Sequence, residues 1–370
     1  MGTSVVFQRS RLDLSLGELS GALGDSITVL PLVIAIGALS EFSVGWILLG
    51  FGLFQVVWGV YYGIPVSVEP MKALAALVIV GRLTTLEFAV AGLLAGAVLL
   101  VVGRFRILGG IQAYIGEPVV RGVQFGVALL LLEMGLQLGI TSIPMALLAG
   151  GAVLFLFVLG KRRVAPLVVL GIGGVITVYF AGLPGVSIPT FSNQLVSNAS
   201  LDLGSLISAT AGQLAMTVGN AAVATSLLLS DYYDADISPD ELSSSMGVMN
   251  LVAVPLGMIP MCHGSGGVAG KYTFGARTAG SNVILGGLYA VAALFATGLV
   301  MAFPLALLGV VLLLIALELG RTSLESDALG ITLVVGLVSL LTSVGVGFVA
   351  GLLLYQFVRR TSARDPGGPV

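Results

Sequence analysis

The chain has 370 residues, of which 57% are hydrophobic and 9% are charged, and its formal net charge is −2. Because soluble domains carry about 25% charged residues, this composition excludes a soluble globular protein and indicates a polytopic membrane protein. The single cysteine, Cys262, excludes an intrachain disulfide and the common structural zinc sites, and no basic tract suggests nucleic acid. We therefore predict no metal site, no other cofactor and no nucleic-acid partner.

Apolar runs follow one another along almost the whole chain. The N-terminus stays polar and charged past residue 13 and has no small-residue cleavage site after an apolar core, so we expect no signal peptide. The runs are continuous rather than alternating, which favours helices over a barrel. We predict an all-α polytopic membrane protein with fourteen transmembrane segments, several of them short, at residues 16–38, 43–62, 64–82, 86–103, 117–139, 143–160, 164–183, 204–230, 240–258, 259–277, 280–302, 303–318, 328–343 and 345–360.

Lysine and arginine residues mark one side of the membrane. They cluster before the first segment, at 104–106, at 161–163, at Arg321 and in the C-terminal tail. Since cytoplasmic loops retain positive charge, we place these clusters and both termini in the cytoplasm of a multi-pass cell-membrane protein, with Arg82 as an outer-side exception. The polar stretch 186–203 has no Lys or Arg and is predicted to be an extracellular linker between two repeats, residues 1–185 and 204–370. No cytoplasmic regulatory domain is expected.

An offset of 195 residues relates the two halves. The matched pairs are Pro65 and Pro260, Arg82 and Arg277, Gly24-Asp25 and Gly219-Asn220, and Glu18 and Gln213. Recurrence at one fixed offset is a signature of transporters that are built from inverted repeats. We predict seven segments in each half, related by inversion.

The third segment of the first half is interrupted. In "YYGIPVSVEPMKALAALVIVGR", residues 61–82, an extended and proline-rich stretch leads to Pro70, a residue type favoured in the first turn of a helix. Non-helical backbone at membrane depth occurs where it is buried in protein or lines a cavity. We therefore predict a half-helix that begins near the membrane midplane.

The matching segment of the second half is "GMIPMCHGSGGVAGKYTFGAR", residues 257–277. Its glycines and Lys271 suggest a phosphate-binding loop, but Ser265 stands at the first glycine position of that motif and Tyr272 at its Ser/Thr position. We reject a nucleotide site and predict a second half-helix that begins after Gly264. Lys271 is then expected on the inner side of the membrane.

Two half-helices that enter from opposite sides would point their N-termini at each other. Each N-terminus exposes unpaired backbone N–H groups and about half a positive charge. Such a pair favours a bound anion. The sequence thus predicts an anion site between the helix starts near Pro70 and Ser265.

The two interrupted segments together are specific enough to indicate a family. "PVSVEPMKALAA" (65–76) with "PMCHGSGGVAGKYTFGART" (260–278) resembles the signature motifs of the molybdate transporter family within the sulfate permease superfamily, and "ELSSSMGVMNLVAVPLGMIP" (241–260) is similar to a pattern of that superfamily. The resemblance covers essentially the whole chain. It implies seven plus seven inverted segments, with a core of segments 1–4 and 8–11, a gate of segments 5–7 and 12–14, and a substrate between half-helices that follow short strands.

The first motif supplies three substrate-binding predictions, Glu69, Met71 and Lys72. A lone ammonium in the membrane is costly enough to suggest a function, so Lys72 is expected to bind substrate or a counter-ion. The alternative is a structural ion pair with Glu69 or Asp25. Ionised, these carboxylates would repel a dianion, so they either pair with Lys72 or couple uptake to protons. Glu69 also departs from the family, where glutamine commonly precedes Pro-Met-Lys.

The second motif supplies four more predictions. His263, the only histidine, is expected to donate a hydrogen bond to an oxyanion, with capping or packing as the alternative. Backbone N–H donation to substrate is expected from Gly264, Ser265 and Gly266. Gly267 and Gly270 are expected to serve helix packing.

The eighth segment carries an uncharged polar stripe. Gln213, Thr217 and Asn220 are spaced by four and three residues, so they share one helix face and are predicted to contact substrate. Glu133 is interpreted as a buried carboxylate that forms a hydrogen bond in the gate. The acidic run 231–241 is interpreted as a solvated cytoplasmic loop.

The function predicted from these features is secondary transport of a tetrahedral oxyanion, molybdate first and sulfate second. The expected partners are the oxyanion, the lipid bilayer and, as one assembly to test, a second copy of the chain. Two alternatives stay open: a proton-coupled nucleobase symporter of the same fold, and an anion channel or non-transporting scaffold. The absence of HExxH and GxSxG motifs argues against an enzyme.

Overall fold

The computed structural model describes residues 12–191, 194–196 and 200–362. The charged chain ends that the sequence places in the cytoplasm, residues 1–11 and 363–370, lie outside the described residues. The first half contains α1 (Leu16–Leu39), α2 (Val44–Tyr62), β1 (Val68–Pro70), α3 (Lys72–Ile79), α4 (Thr85–Phe105), α5 (Leu108–Ile115), α6 (Glu117–Gly139), α7 (Ile143–Val158) and α8 (Ala165–Ala181).

Within the described residues, the second half repeats this order except that it has no counterpart of α5 and that its first long helix is interrupted. It contains α9 (Leu203–Met216), a π-helix (Thr217–Ala224), α10 (Thr225–Tyr233), α11 (Pro239–Ala253), β2 (Met261–His263), α12 (Ser265–Thr273), α13 (Gly280–Met301), α14 (Leu305–Ser323), α15 (Leu329–Leu341) and α16 (Val344–Ser362). Short 3₁₀ turns lie at Ile140–Ser142, Arg162–Val164 and Gln194–Val196.

The predicted helical, polytopic architecture is confirmed. Within the described residues, eight helical stretches are long and apolar enough to cross a membrane. The predicted segment 117–139 coincides with α6, and each of the two interrupted segments is a short strand followed by a short helix, α3 or α12. The apolar runs and the prolines were therefore sufficient to locate both half-helices.

Local sequence explains where several of these helices begin and end. Thr84 and Glu87 form a capping box at the start of α4, and Ser238 and Glu241 form another at the start of α11. Each box satisfies two backbone N–H groups that have no partner inside the helix. α2 ends at Gly63, whose φ of 73° is favourable only for a residue without a Cβ atom.

The two strands bring the halves of the chain together at the centre of the protein. β1 and β2 pair antiparallel, with Val68 opposite His263 and Pro70 opposite Met261, and all six strand residues are buried. A further bond from Met71 N to the Pro260 carbonyl, 3.0 Å long, extends the pairing. Because each half-helix follows its own strand, α3 and α12 begin at opposite ends of this short ladder.

The helices pack in two groups. In the first group α2 packs against α13, α4 against α11 and α1 against α12, while in the second group α6 packs against α14, α15 and α16. Helices α7 and α8 pack on α14 and so belong to the second group. The groups meet where α3 and α9 touch α6, where α9 touches α16, and where α1 and α13 touch α8 and α1 touches α14. This division matches the core and the gate that the family resemblance implies, and we use these two names below.

The order of elements supports the internal repeat, although the offset is not constant. The starts of α2 and α11, Val44 and Pro239, are 195 residues apart, whereas the starts of β1 and β2, Val68 and Met261, are 193 apart. The strands therefore shift by two residues relative to the helices before them. The opposite membrane orientation of the two halves stays a prediction.

Three features differ from the sequence-based expectations. Helix α5 lies between α4 and α6 and was not predicted, and the eighth segment contains a π-helix. Glu133 was expected to be buried but is exposed on α6, where it accepts a hydrogen bond of 3.4 Å from Gln137. The reason is that Glu133, Leu136 and Gln137 share the face of α6 that is turned away from its neighbours.

Candidate functional site

A small polar cavity lies between the start of α3, the start of α12 and the π-helix, and its volume is about 20 Å³. Eight predicted substrate residues line it: Glu69, Lys72, Gln213, Thr217, Asn220, His263, Gly264 and Ser265. Met216, Ala221 and Cys262 complete the lining. The structure thus brings together residues that the sequence separates by almost 200 positions.

The size of the cavity limits what it holds in this conformation. A cavity needs about 10–15 Å³ to hold one water molecule, so about 20 Å³ has room for roughly one. A tetrahedral oxyanion has four oxygen atoms around its centre and is larger than this. We therefore expect the cavity to widen when such an anion binds.

Glu69 and Lys72 form an ion pair at the cavity, which is the alternative that the sequence left open for Lys72. Lys72 Nζ lies 2.7 Å from Glu69 Oε2, and the Lys72 side chain is 19% exposed while Glu69 is fully buried. Glu69 Oε1 accepts hydrogen bonds from Gly267 N, 2.7 Å, and from Thr28 Oγ1, 3.1 Å. A carboxylate of the protein itself therefore occupies the N-terminus of α12, the kind of position that favours an anion.

Gln213 caps the other half-helix. Its Oε1 accepts hydrogen bonds from Ala73 N, 3.0 Å, and Leu74 N, 3.2 Å, and its Nε2 donates to Thr217 Oγ1, 2.9 Å. Two of the N–H groups at the start of α3 are thus satisfied by a side chain from the other half of the chain. In this conformation Gln213 is bound to protein groups through both ends of its amide.

The π-helix directs a second polar group at the start of α12. Asn220 Oδ1 accepts a hydrogen bond from Ser265 Oγ at 3.1 Å. A π-helix has one extra residue per hydrogen-bonded turn and occurs frequently at functional sites. Here it turns Thr217, Asn220 and Ala221 toward the cavity.

His263 makes two hydrogen bonds to protein. Its Nδ1 lies 3.1 Å from the Ser67 carbonyl oxygen and its Nε2 lies 2.8 Å from Ser245 Oγ. Because a carbonyl only accepts, Nδ1 carries a hydrogen. Trp58 and Tyr62 pack edge-on against the ring. The ring therefore has the packing role in this conformation, and its hydrogen bond to an oxyanion stays a prediction.

Two predicted substrate residues do not line the cavity. Met71 is fully buried, and its N–H donates to the Pro260 carbonyl as part of the strand pairing. Gly266 lies in the first turn of α12 but is absent from the lining. Gly267 was expected only to pack, and the structure adds a hydrogen bond from its N–H to Glu69.

Asp25 and Lys271 lie apart from the cavity, in a second polar cluster. Lys271 was expected on the inner side of the membrane, and that position stays a prediction. Its side chain is fully buried, with Nζ 3.3 Å from Asp25 Oδ2, because it lies on the face of α12 that packs against α1. Asp25 therefore pairs with Lys271 rather than with Lys72.

Some residues of the site were not identified from the sequence. Thr28 binds Glu69, and Ser67 binds both His263 and Asp25. Thr28 could have been found, since it lies three residues after Asp25 and so shares its face of α1. Ser67 gave no such signal, because its contacts depend on the pairing of β1 with β2.

The chain is similar to known proteins in both sequence and fold. Residues 17–131 and 205–319, one stretch in each half, match the family model described as "Molybdate transporter of MFS superfamily". Molybdate transporter 2 of Arabidopsis thaliana is 29% identical over 411 residues, covering 92% of this chain and 87% of that protein. Molybdate transporter 1 of the same plant is 28% identical, and the match covers 95% of this chain and 89% of that protein.

Solved structures show the same fold at low identity. The transmembrane domain of the cyanobacterial bicarbonate transporter BicA has a TM-score of 0.66 at 18% identity, covering 91% of this chain and 97% of that chain. The structure of SLC26A9 has a TM-score of 0.70 at 14% identity, and the match covers 92% of this chain and 64% of that chain. The family model matches more than half of the residues, and the chain therefore belongs to the molybdate transporter family.

Proposed function

We propose that this protein is a secondary active transporter that moves a tetrahedral oxyanion, molybdate in preference to sulfate, across the cell membrane by alternating access. The observation that carries this proposal is the cavity between the starts of α3 and α12, where an ammonium, hydroxyl and amide groups and two helix N-termini converge. Membership of the molybdate transporter family supports the choice of anion.

Several groups around the cavity can still donate hydrogen bonds to an anion. Within the described chain, the Lys72 ammonium contacts Glu69 and no other group. The first backbone hydrogen bond of α12 is donated by Val268 N to the Gly264 carbonyl oxygen and is 3.1 Å long. The N–H groups of Ser265 and Gly266 precede that bond and have no partner inside the helix. Together these donors match the acceptor oxygens of an oxyanion.

Glu69 competes with the substrate for these donors. An ionised carboxylate and a dianion a few ångströms apart repel each other strongly in a dry interior. Protonation of Glu69 removes that repulsion and releases Lys72 to the substrate. The charged and titratable groups around Glu69 are Lys72 on α3, Asp25 on α1, Cys262 and His263 on β2, Lys271 on α12 and Tyr289 on α13. We therefore propose that a proton on Glu69 accompanies the anion.

The two groups of helices supply the moving parts of this proposal. The core holds the whole cavity lining, so it would carry the anion while it moves against the gate. The repeats 1–185 and 204–370, joined by the extracellular linker 186–203, would cross the membrane in opposite directions with both termini in the cytoplasm. A homodimer is the assembly that we would test first.

Uptake into proteoliposomes tests the proposal directly. Labelled molybdate and labelled sulfate are each competed with the other anion and with uracil, with and without an inward proton gradient. We expect saturable molybdate uptake, weaker competition by sulfate, no competition by uracil, and faster uptake when the outside is acidic. Saturable uracil uptake without oxyanion uptake would replace this proposal with the nucleobase symporter.

A second comparison separates transport from channel conduction. A transporter exchanges labelled substrate for unlabelled substrate trapped inside the liposomes, and its rate saturates as the outside concentration rises. Flux that rises linearly with concentration and shows no exchange would indicate an anion channel. Uptake that is unaffected by the proton gradient would retain the transporter and remove the proton coupling.

A further inference from the structure

The second polar cluster surrounds a lysine with oxygen atoms inside the core. Lys271 Nζ donates to Gln55 Oε1 at 2.9 Å, to the Val66 carbonyl at 2.8 Å and to Asn282 Oδ1 at 2.9 Å. Asp25 Oδ2 lies 3.3 Å from the same nitrogen. All three hydrogens of the ammonium are therefore used, and none is left for a substrate.

The oxygen atoms around Lys271 are themselves held in place. Asp25 Oδ1 accepts from Ser67 Oγ at 2.5 Å, and Asp25 Oδ2 accepts from Gln55 Nε2 at 2.6 Å. Asn282 Nδ2 donates to Gln55 Oε1 at 2.9 Å and to the Val66 carbonyl at 2.6 Å. A network of this kind fixes the oxygen positions independently of the lysine, because its members also bind one another.

The cluster is closed to solvent and neutral as a whole. Asp25, Gln55, Lys271 and Asn282 each have 0% relative exposure. One carboxylate and one ammonium are its two ionisable groups, so the formal charges cancel. Removing the ammonium would leave a buried carboxylate without compensation, which is strongly unfavourable.

The ligand set has the chemistry of an alkali-cation site. A backbone carbonyl, two amide oxygens and a carboxylate converge on one point, and such oxygen atoms can replace the hydration shell of a monovalent cation. The ammonium of Lys271 sits at that point, tethered to α12 by its side chain. The four oxygens come from α1, α2, the segment before β1 and α13, so a cation at this point joins four parts of the core.

We propose that these oxygen atoms form a monovalent-cation site which the chain fills with its own ammonium, and that an alkali-metal ion binds there when the Lys271 side chain is shortened. The tethered ammonium makes the assembly of the core independent of sodium and potassium. This inference does not depend on which anion the protein transports, since the cluster is separate from the cavity.

Thermal unfolding of the purified protein in detergent tests the proposal. Unfolding is followed by the fluorescence of the two tryptophans in NaCl, KCl and N-methylglucamine chloride at equal ionic strength. The wild-type midpoint should be the same in all three salts. The midpoint of Lys271→Ala should fall by about 5 °C or more in N-methylglucamine and should recover with a saturable dependence on sodium or potassium concentration.

Two variants serve as controls. Lys161→Ala changes an exposed lysine and should behave as the wild type in every salt. Asp25→Asn with Lys271→Ala removes the carboxylate as well, so alkali ions should no longer raise the midpoint. Binding of radioactive sodium to Lys271→Ala, and its absence in the wild type and in the double variant, provides a second measurement of the same site.

Three results would overturn the proposal. The first is a folded Lys271→Ala protein whose midpoint is the same in all three salts. The second is stabilisation by alkali ions that persists in the double variant, because the ion would then bind elsewhere. The third is a Lys271→Ala protein that fails to fold in every alkali salt while Asp25→Asn with Lys271→Met folds, because the shortened side chain would then not admit an ion.

Discussion

Each half-helix carries one lysine that pairs with a carboxylate. The two pairs differ in how many hydrogen bonds the ammonium can still donate. Lys72 at the start of α3 contacts Glu69 at 2.7 Å, and its side chain is 19% exposed toward the cavity. Lys271 in α12 is fully buried and is bound by three oxygens besides Asp25. A buried charge thus points to ligand binding only where hydrogen-bonding capacity is left over; elsewhere it stabilises the fold.

The largest effect is expected from Lys72→Met. Among the described residues Lys72 is the only lysine or arginine that lines the cavity, so loss of its ammonium should lower oxyanion uptake by about 100-fold or more, which corresponds to about 2.7 kcal/mol. Uptake into proteoliposomes measures the loss, and thermal unfolding checks that the variant is folded. Lys161→Met, at an exposed position, is the matched control. Full retention of uptake by Lys72→Met would remove this lysine from the site.

Gly267→Ala tests the contact between the cavity and the second polar cluster. The N–H of Gly267 binds Glu69, while a Cβ atom at this position would collide with Asp25 Oδ1 and Ser67 Oγ. Such overpacking should lower the free energy of unfolding by about 2 kcal/mol.

The matched control for this substitution is Gly151→Ala in α7. A Cβ atom there meets nothing within 4 Å, so the change should raise the free energy of unfolding by about 0.5 kcal/mol. Chemical unfolding in detergent measures both variants. Equal effects of the two substitutions would show that the space around Gly267 is not restrictive.

Glu69→Gln tests whether the carboxylate competes with the substrate. The amide oxygen can still accept from Gly267, but the ion pair with Lys72 is lost, so the apparent affinity for the oxyanion at pH 7 should rise about tenfold, or about 1.4 kcal/mol. The proposed protonation of Glu69 would remove the same charge from the wild type, so the difference between the two proteins should shrink as the pH falls. Weaker binding by the variant at every pH would contradict the competition.

The smallest effect is expected from the cap on α3. Gln213→Ala leaves the N–H groups of Ala73 and Leu74 without their side-chain acceptor and should cost about 1 kcal/mol of stability. Gln213→Glu keeps an acceptor and should be more stable than the alanine variant, yet its charge should reduce oxyanion uptake. If both variants lose uptake and stability equally, Gln213 acts only as a cap.

The sequence predicts the elements of this protein better than their contacts. Continuous apolar runs identify the long helices, and the prolines and glycines near Pro70 and Gly264 identify the interrupted segments, because these signals are local. The spacing of Gln213, Thr217 and Asn220 correctly predicts one shared helix face. Most predicted substrate residues therefore line one cavity.

The remaining features depend on pairings between distant parts of the chain. Lys271 reaches Gln55 across 216 positions and Gln213 reaches Ala73 across 140, and no local pattern encodes such partners. The π-helix also gives no pattern of its own, since its residues continue a helical run. The assignment of Lys72 and Lys271 to different roles became clear only when the number of oxygens around each nitrogen was known.

The strand pairing also determines how the cavity can deform. Backbone hydrogen bonds join β1 to β2, and each strand leads directly into its half-helix, so the starts of α3 and α12 are linked through paired backbone. The opposite wall, formed by α9 and the π-helix, is attached to these helix starts by the side chains of Gln213 and Asn220. Side-chain hydrogen bonds rearrange more readily than paired backbone, so we expect an entering anion to displace this second wall rather than the two half-helices.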